Sequence, residues 1–101
     1  MAVIHLTKDD FEKVITENET VLVDFWAAWC GPCRMLGPVI DEISEERSDV
    51  CVCKVNVDEE EELAAEFGIM SIPTVIVFKN GEPVTTSMGA KPKAAILALL
   101  D

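Results

Sequence analysis

The sequence contains few basic residues. Its 101 residues include 19 Asp and Glu against 8 Lys and Arg, which gives a formal net charge of −11 at pH 7. A surface this acidic repels phosphate backbones and anionic lipid headgroups. We therefore expect neither a nucleic-acid partner nor a membrane-surface partner.

The sequence also lacks long apolar runs and a recognisable targeting segment. No apolar stretch approaches the roughly 20 residues that span a bilayer. The opening residues, MAVIHLTKDD, have neither the basic nor the apolar region of a secretory signal. These absences predict a cytoplasmic protein that does not enter membranes.

Repeats, low-complexity tracts and linkers are absent as well. The length therefore predicts a single domain over residues 1–101. Half of the residues are apolar, which is enough for a core without metal or disulfide staples. The one histidine, His5, has no nucleophilic or metal-binding residues near it in the sequence, so no metal site is expected there.

The apolar pattern predicts strands that alternate with helices. Two near-continuous apolar runs, residues 21–28 and 50–57, are typical of parallel strands that are buried on both faces. The dipeptide Asn80-Gly81 between two further strands predicts a hairpin. Together with a short first strand, these segments predict the order βαβαβαββα. The fold class is therefore α/β, with a central mixed sheet flanked by helices on both faces.

Helices are expected after Thr7, after Gly31-Pro32, from the acidic run that begins at Asp58, and at the end of the chain. The second of these contains Pro38, which should kink it. The acidic run reads as the solvated start of the third helix, where negative charge suits the helix dipole.

The four cysteines form two close pairs, Cys30 with Cys33 and Cys51 with Cys53. A bond between Cys30 and Cys33 closes a four-residue loop and stabilises by only about 2 kcal/mol in the chain-entropy model. This pair is therefore better explained by chemistry than by architecture. A zinc site from all four cysteines is an alternative, although the C-x-C spacing of the second pair departs from ordinary zinc patterns. Cys51 and Cys53 are expected to be small buried apolar residues on one face of a strand.

The Cys-Gly-Pro-Cys turn lies between a predicted buried strand and a helix. Cys30 at the helix N-cap and Cys33 in the first turn face the same side, so their sulfurs can reach each other. The positive end of the helix dipole favours the thiolate of Cys30. We expect Cys30 to be an exposed nucleophile on substrate disulfides, and Cys33 to be the shielded thiol that resolves the mixed disulfide.

The sequence WCGPC, in the context VLVDFWAAWCGPCRMLGPVIDEI, closely resembles the thioredoxin family. The resemblance continues through KVNVDE and FGIMSIPTVIVFKNGE to Gly89 and covers essentially the whole chain. It implies the thioredoxin fold and the reversible reduction of disulfides in partner proteins by Cys30 and Cys33. It also implies that no cofactor is bound and that an external thioredoxin reductase supplies electrons. We expect the chain to act as a monomer.

Asp24 interrupts an apolar strand and has two interpretations. It is either an acid on a wet sheet face or a buried carboxyl that keeps its proton to unusually high pH. A buried carboxyl could accept the proton of Cys33 during resolution. The resemblance places an acid beneath the dithiol here, with a lysine, Lys54, near it. We expect Lys54 to pair with Asp24 and modulate it, the alternative being an exposed strand residue.

The resemblance also implies which residues meet the substrate. The SIPT block matches the family loop in which a cis-proline faces the dithiol, so we expect a cis bond before Pro73 and substrate binding at Ile72. The residues expected to form an apolar binding patch around Cys30 are Trp29, Gly31, Pro32, Ile72, Pro73 and Gly89. Trp26 and Pro38 are expected to support the active-site turn.

Two other functions remain open at this point. A partner-dedicated oxidant or isomerase would use the same dithiol, although Gly-Pro between the cysteines resembles reducing members of the family more than disulfide isomerases. A binding subunit of the same fold would carry an incidental dithiol and catalyse nothing.

Overall fold

The computed structural model describes residues 2–101, and the elements follow the predicted order. Within these residues the strands and helices are β1 (Ile4–His5), α1 (Lys8–Glu17), β2 (Thr20–Trp26), α2 (Gly31–Glu46), β3 (Cys51–Asn56), α3 (Glu61–Glu66), β4 (Thr74–Lys79), β5 (Glu82–Met88) and α4 (Lys93–Ala98).

The strands form one mixed sheet in the order β1-β3-β2-β4-β5. β3 runs parallel to both β1 and β2, whereas β4 is antiparallel to β2 and to β5. β2 and β3 are therefore interior strands. The buried pattern of residues 21–25 fits that position, since an interior strand under helices on both faces is apolar throughout.

Side-chain alternation divides the sheet into two apolar faces. One face packs against α1 and α3 and includes Val23 and Phe25 of β2. The other packs against α2 and α4 and includes Leu22 of β2. Because successive strand residues point to opposite faces, Asp24 shares the α2 face with Leu22, and so does its register partner Lys54.

Local sequence explains several element ends. Asn80 and Gly81 both have positive φ, 54° and 83°, as the tight two-residue hairpin turn requires. The third helix starts later than predicted, at Glu61. Asp58 instead lies in a turn, where its amide donates to the Asn56 Oδ1 atom at 2.9 Å, so the start of the acidic run is held by the end of β3.

Two further sequence expectations can be compared with the fold. α2 continues as helix through Pro38, which is exposed. Across residues 2–101, no helix combines the length and the hydropathy needed to cross a bilayer.

Candidate active site

The active-site turn joins the carboxyl end of β2 to the start of α2. Cys30 is the N-cap residue of α2, and its Sγ accepts a hydrogen bond from the Cys33 amide at 3.2 Å. The two cysteines form a disulfide, with their Cα atoms 5.2 Å apart. Pro32 occupies the first turn of the helix, where an amide hydrogen would have no helical partner. The amide that now faces Cys30 Sγ is placed to stabilise negative charge on that sulfur once the disulfide is reduced.

The expected difference in exposure between the two cysteines is wrong for this disulfide form. Cys30 and Cys33 are each only 4% exposed. Ala27 forms a small buried cluster with them, and the side chains of Trp26 and Ile72 pack against it. The N-cap position alone suggested an exposed Cys30, but Ala27 and Trp26 at the end of β2 and Ile72 from a distant loop pack around it.

Trp29 has an exposed side chain next to the disulfide. Its side chain is 68% exposed, and its indole Nε1–H donates to Asp58 Oδ2 at 2.9 Å. On the other side of the turn, the Arg34 guanidinium donates to the Ala28 carbonyl at 2.9 Å from Nη2. These two hydrogen bonds tie the turn to the end of β3 and to the first turn of α2. Gly31 and Pro32 between the cysteines are exposed.

The loop before β4 faces the disulfide. The Ile72–Pro73 peptide bond is cis, as predicted. The Ile72 carbonyl oxygen lies 3.8 Å from Cys30 Sγ. The Gly89 amide donates to the Pro73 carbonyl at 2.8 Å, with Gly89 at a φ of 92°. The structure thus brings Ile72, Pro73 and Gly89 together next to Cys30.

Asp24 lies inside the sheet. It is 1% exposed, which confirms the buried interpretation over the wet-face alternative. Its Oδ1 atom is buried without a hydrogen-bond partner in residues 2–101. Burial removes water from the carboxylate and raises the pKa of Asp24 to about 7, while the positive charge of Lys54 acts in the opposite direction and the negative charge of Asp41 adds to the rise.

A cavity of about 390 Å³ connects Asp24 to the dithiol. Asp24 and Cys33 both line it, and the indole of Trp26 and the Lys54 side chain form parts of its wall. Ala28, at its rim, is exposed to solvent. The buried carboxyl and Cys33 therefore share one space that is large enough to hold water.

Lys54 does not pair with Asp24 as expected. Its Nζ lies 3.0 Å from Asp41 Oδ1, and among the ion pairs of residues 2–101 none joins it to Asp24. The lysine reaches across to α2 because that helix presents a carboxylate above it. Lys54 still lowers the pKa of Asp24 through its charge, so proximity was predicted correctly and the pairing was not.

The second cysteine pair is separate from the first. Cys51 and Cys53 are buried and free, with their sulfurs 3.8 Å apart. They belong to the apolar face that packs against α1 and α3, whereas Cys30 and Cys33 lie at the end of the sheet. Burial and the neighbouring thiol raise the pKa of Cys53, which keeps it protonated. The four sulfurs are thus not gathered as a zinc site would require.

Sequence reasoning missed two carboxylates of the site, Asp58 and Asp41. Asp58 follows β3 at the carboxyl edge of the sheet, the edge at which functional residues of α/β proteins gather, and this position could have identified it. Asp41 gave no such signal, because only the packing of α2 on the sheet brings it to Lys54.

Comparisons with known proteins agree with this geometry. The Thioredoxin family model matches residues 2–101. A thioredoxin of Alicyclobacillus acidocaldarius is 52% identical over 100 residues, covering 98% of this chain and 95% of its own. A bifunctional thioredoxin reductase/thioredoxin of Mycobacterium leprae is 53% identical over 88 residues, covering 86% of this chain and 19% of its own.

A solved thioredoxin structure from Plasmodium falciparum superimposes with a TM-score of 0.91 at 39% identity, covering 97% of this chain and 96% of that one. The sheet described above is accordingly the thioredoxin fold. This chain therefore belongs to the thioredoxin family, and it is a thiol–disulfide oxidoreductase that reduces protein disulfides.

Proposed function

We propose that this reductase works through a division of labour among Cys30, Cys33 and Asp24. The Cys30 thiolate attacks one sulfur of a substrate disulfide, and the other substrate sulfur leaves as a thiolate. Cys33 then gives its proton to the Asp24 carboxylate and attacks Cys30 Sγ. The Cys30–Cys33 bond forms, the second substrate thiolate leaves, and two electrons have passed to the substrate.

The observation that carries this proposal is the cavity shared by Asp24 and Cys33. A general base works best when its pKa lies near the operating pH, and burial raises the pKa of Asp24 to about 7. The carboxyl has no hydrogen-bond partner at Oδ1 among the described residues. That atom is therefore available to take a proton from Cys33, either directly or through water in the cavity.

Substrate binding is proposed for the surface around the disulfide. Trp29 is exposed beside Cys30, and the Ile72 carbonyl lies 3.8 Å from its sulfur. A backbone carbonyl at this distance can pair with an extended substrate chain while the sulfurs react, in the manner of strand addition. Gly31, Pro32, Pro73 and Gly89 would complete this small surface, and Trp26 and Pro38 would support the active-site turn.

We further propose that a separate thioredoxin reductase recharges the chain. The Mycobacterium leprae relative carries a thioredoxin reductase and a thioredoxin in one polypeptide, which supports such a pairing. The cysteines, the carboxyl and the substrate loop all come from one chain, so a monomer suffices and no bound cofactor is needed. The free thiols of Cys51 and Cys53 favour a reducing compartment such as the cytoplasm.

The order of the two cysteines can be tested by trapping. With Cys33→Ser, attack by Cys30 still occurs but nothing resolves the product, so a mixed disulfide with insulin should accumulate and appear in intact-mass spectra. The matched variant Cys30→Ser lacks the nucleophile and should trap almost none. Equal trapping by both variants would show that the assigned order is wrong.

The proton-accepting role of Asp24 predicts a specific kinetic defect. Asp24→Asn should slow resolution of a preformed mixed disulfide by about 100-fold near neutral pH, the lower end of what a positioned base contributes. In the unaltered protein, stopped-flow rates should rise with pH through about 7, and the variant should lack this rise. Glu45→Gln, which removes an exposed α2 carboxyl, serves as the control. Unchanged rates in Asp24→Asn would contradict the role.

The same carboxyl makes folding stability depend on pH. In the folded protein the pKa of Asp24 is raised from 3.8 to about 7, so between these values only the folded state holds the proton. This stabilisation of the folded state is complete below pH 3.8 and is lost as the pH rises through about 7. The full change is about 4 kcal/mol.

Asp24→Asn should therefore remove a pH-dependent loss of stability. We expect the free energy of unfolding of the variant to exceed that of the unaltered protein at about pH 8, and the difference to fade toward about pH 4. Urea titrations at several pH values would measure both curves, again with Glu45→Gln as the control. Parallel curves for Asp24→Asn and the unaltered protein would show that Asp24 ionises normally.

A further inference from the structure

Lys54 forms an ion pair with Asp41, an acid that takes no part in the proposed reaction. Its Nζ lies 3.0 Å from Asp41 Oδ1, and the lysine side chain is 14% exposed while that of Asp41 is 57% exposed. The ion pair thus joins a half-buried strand residue to a carboxylate at the surface of α2. An ion pair with one exposed partner contributes little to stability, so its position is of more interest than its strength.

The acid that lies beside Lys54 within the sheet is Asp24. The two are direct register partners on β2 and β3, and adjacent strands lie only about 5 Å apart. Both side chains point to the α2 face and line the same cavity. The Asp24 Oδ1 atom has no partner in residues 2–101, so it offers an unoccupied acceptor to any cation that turns toward it.

The Lys54 side chain extends toward α2 past a glycine of that helix. Gly37 lines the cavity, and a Cβ atom built there would lie 3.8 Å from Lys54 Nζ. Asp41 is four residues further along the helix and so lies on the same face as Gly37. The ammonium group therefore passes over the glycine and ends at the Asp41 carboxylate.

We propose that Asp41 is a positioning residue for proton transfer at Asp24, because it anchors the Lys54 ammonium against α2 and keeps it from pairing with the buried carboxyl. This inference rests on the proposed role of Asp24 as proton acceptor. A carboxylate paired with a cation is a weaker base, so a lysine turned inward would impair the step that Cys33 needs.

Other ionisable side chains line the same cavity, but they do not take the place of the Lys54–Asp41 ion pair. Arg34 of α2 is committed to the Ala28 carbonyl, and His5 of β1 is exposed. β4 contributes the apolar Val75 opposite Asp24. The titratable and charged groups that border the cavity or pair with its wall are His5, Asp24, Cys33, Arg34, Lys54 and Asp41.

The test is the titration of Asp24 in variants of Asp41. Asp41→Asn frees Lys54 and should lower the pKa of Asp24 by about 1, the low end of the effect of a close opposite charge. Carbon-13 NMR of the Asp24 carboxyl measures this directly, and the pH midpoint of the resolving step should move the same way. Asp41→Glu keeps a carboxylate, so it should restore most of the pKa of Asp24 and most of the pH midpoint of the resolving step.

Two comparisons separate this mechanism from the direct field of Asp41. In a Lys54→Met background, Asp41→Asn should have much less effect, since the residue through which it acts is gone. Glu45→Gln removes another exposed α2 carboxyl and should leave the titration unchanged. An Asp41→Asn shift that is absent, reversed, matched by Glu45→Gln or undiminished without Lys54 overturns the proposal. If Asp24→Asn leaves resolution unchanged, the proposed function fails instead, and the NMR titration still reports on the placement of Lys54.

Discussion

A carboxyl group surrounded by apolar side chains keeps its proton up to a pH far above its ordinary pKa. The buried strand β2 places Asp24 in such surroundings. The strand is buried between two helical layers, which shield the carboxyl from bulk water. Its contact with solvent is through the cavity that also reaches Cys33. In the proposed mechanism, the active-site turn, the cavity and the neighbouring lysine all act around this one group.

The second constraint is the way that β2 passes directly into α2. A helix that starts at the carboxyl end of an interior strand places Cys30 at a positive helix end and Cys33 one turn inside. In the proposed mechanism, the sulfur that carries negative charge thus faces the Cys33 backbone amide, while the sulfur that loses a proton belongs to Cys33, which lines the cavity. One local connection therefore assigns different chemistry to two identical residues.

Features that depend on nearby residues could be predicted from the sequence. The order of elements, the Asn80-Gly81 hairpin and the N-cap position of Cys30 follow from local patterns. The local pattern left Asp24 either buried or on a wet sheet face, and the family resemblance favoured the buried position. Features set by distant packing could not. The Trp29–Asp58 hydrogen bond and the ion pair between Lys54 and Asp41 each join segments that the sequence does not mark as neighbours.

The ionisation of Asp24 in the unaltered protein is the most direct test of this account. Carbon-13 NMR of its carboxyl, followed across the pH range in the disulfide form, should give a pKa of about 7. Such a value would show that the sheet raises the pKa of the carboxyl to the range suited to proton transfer near neutrality. A carboxyl that titrates at the ordinary aspartate value, about 4, would contradict the central claim and leave the cavity with a base too weak for the proposed step.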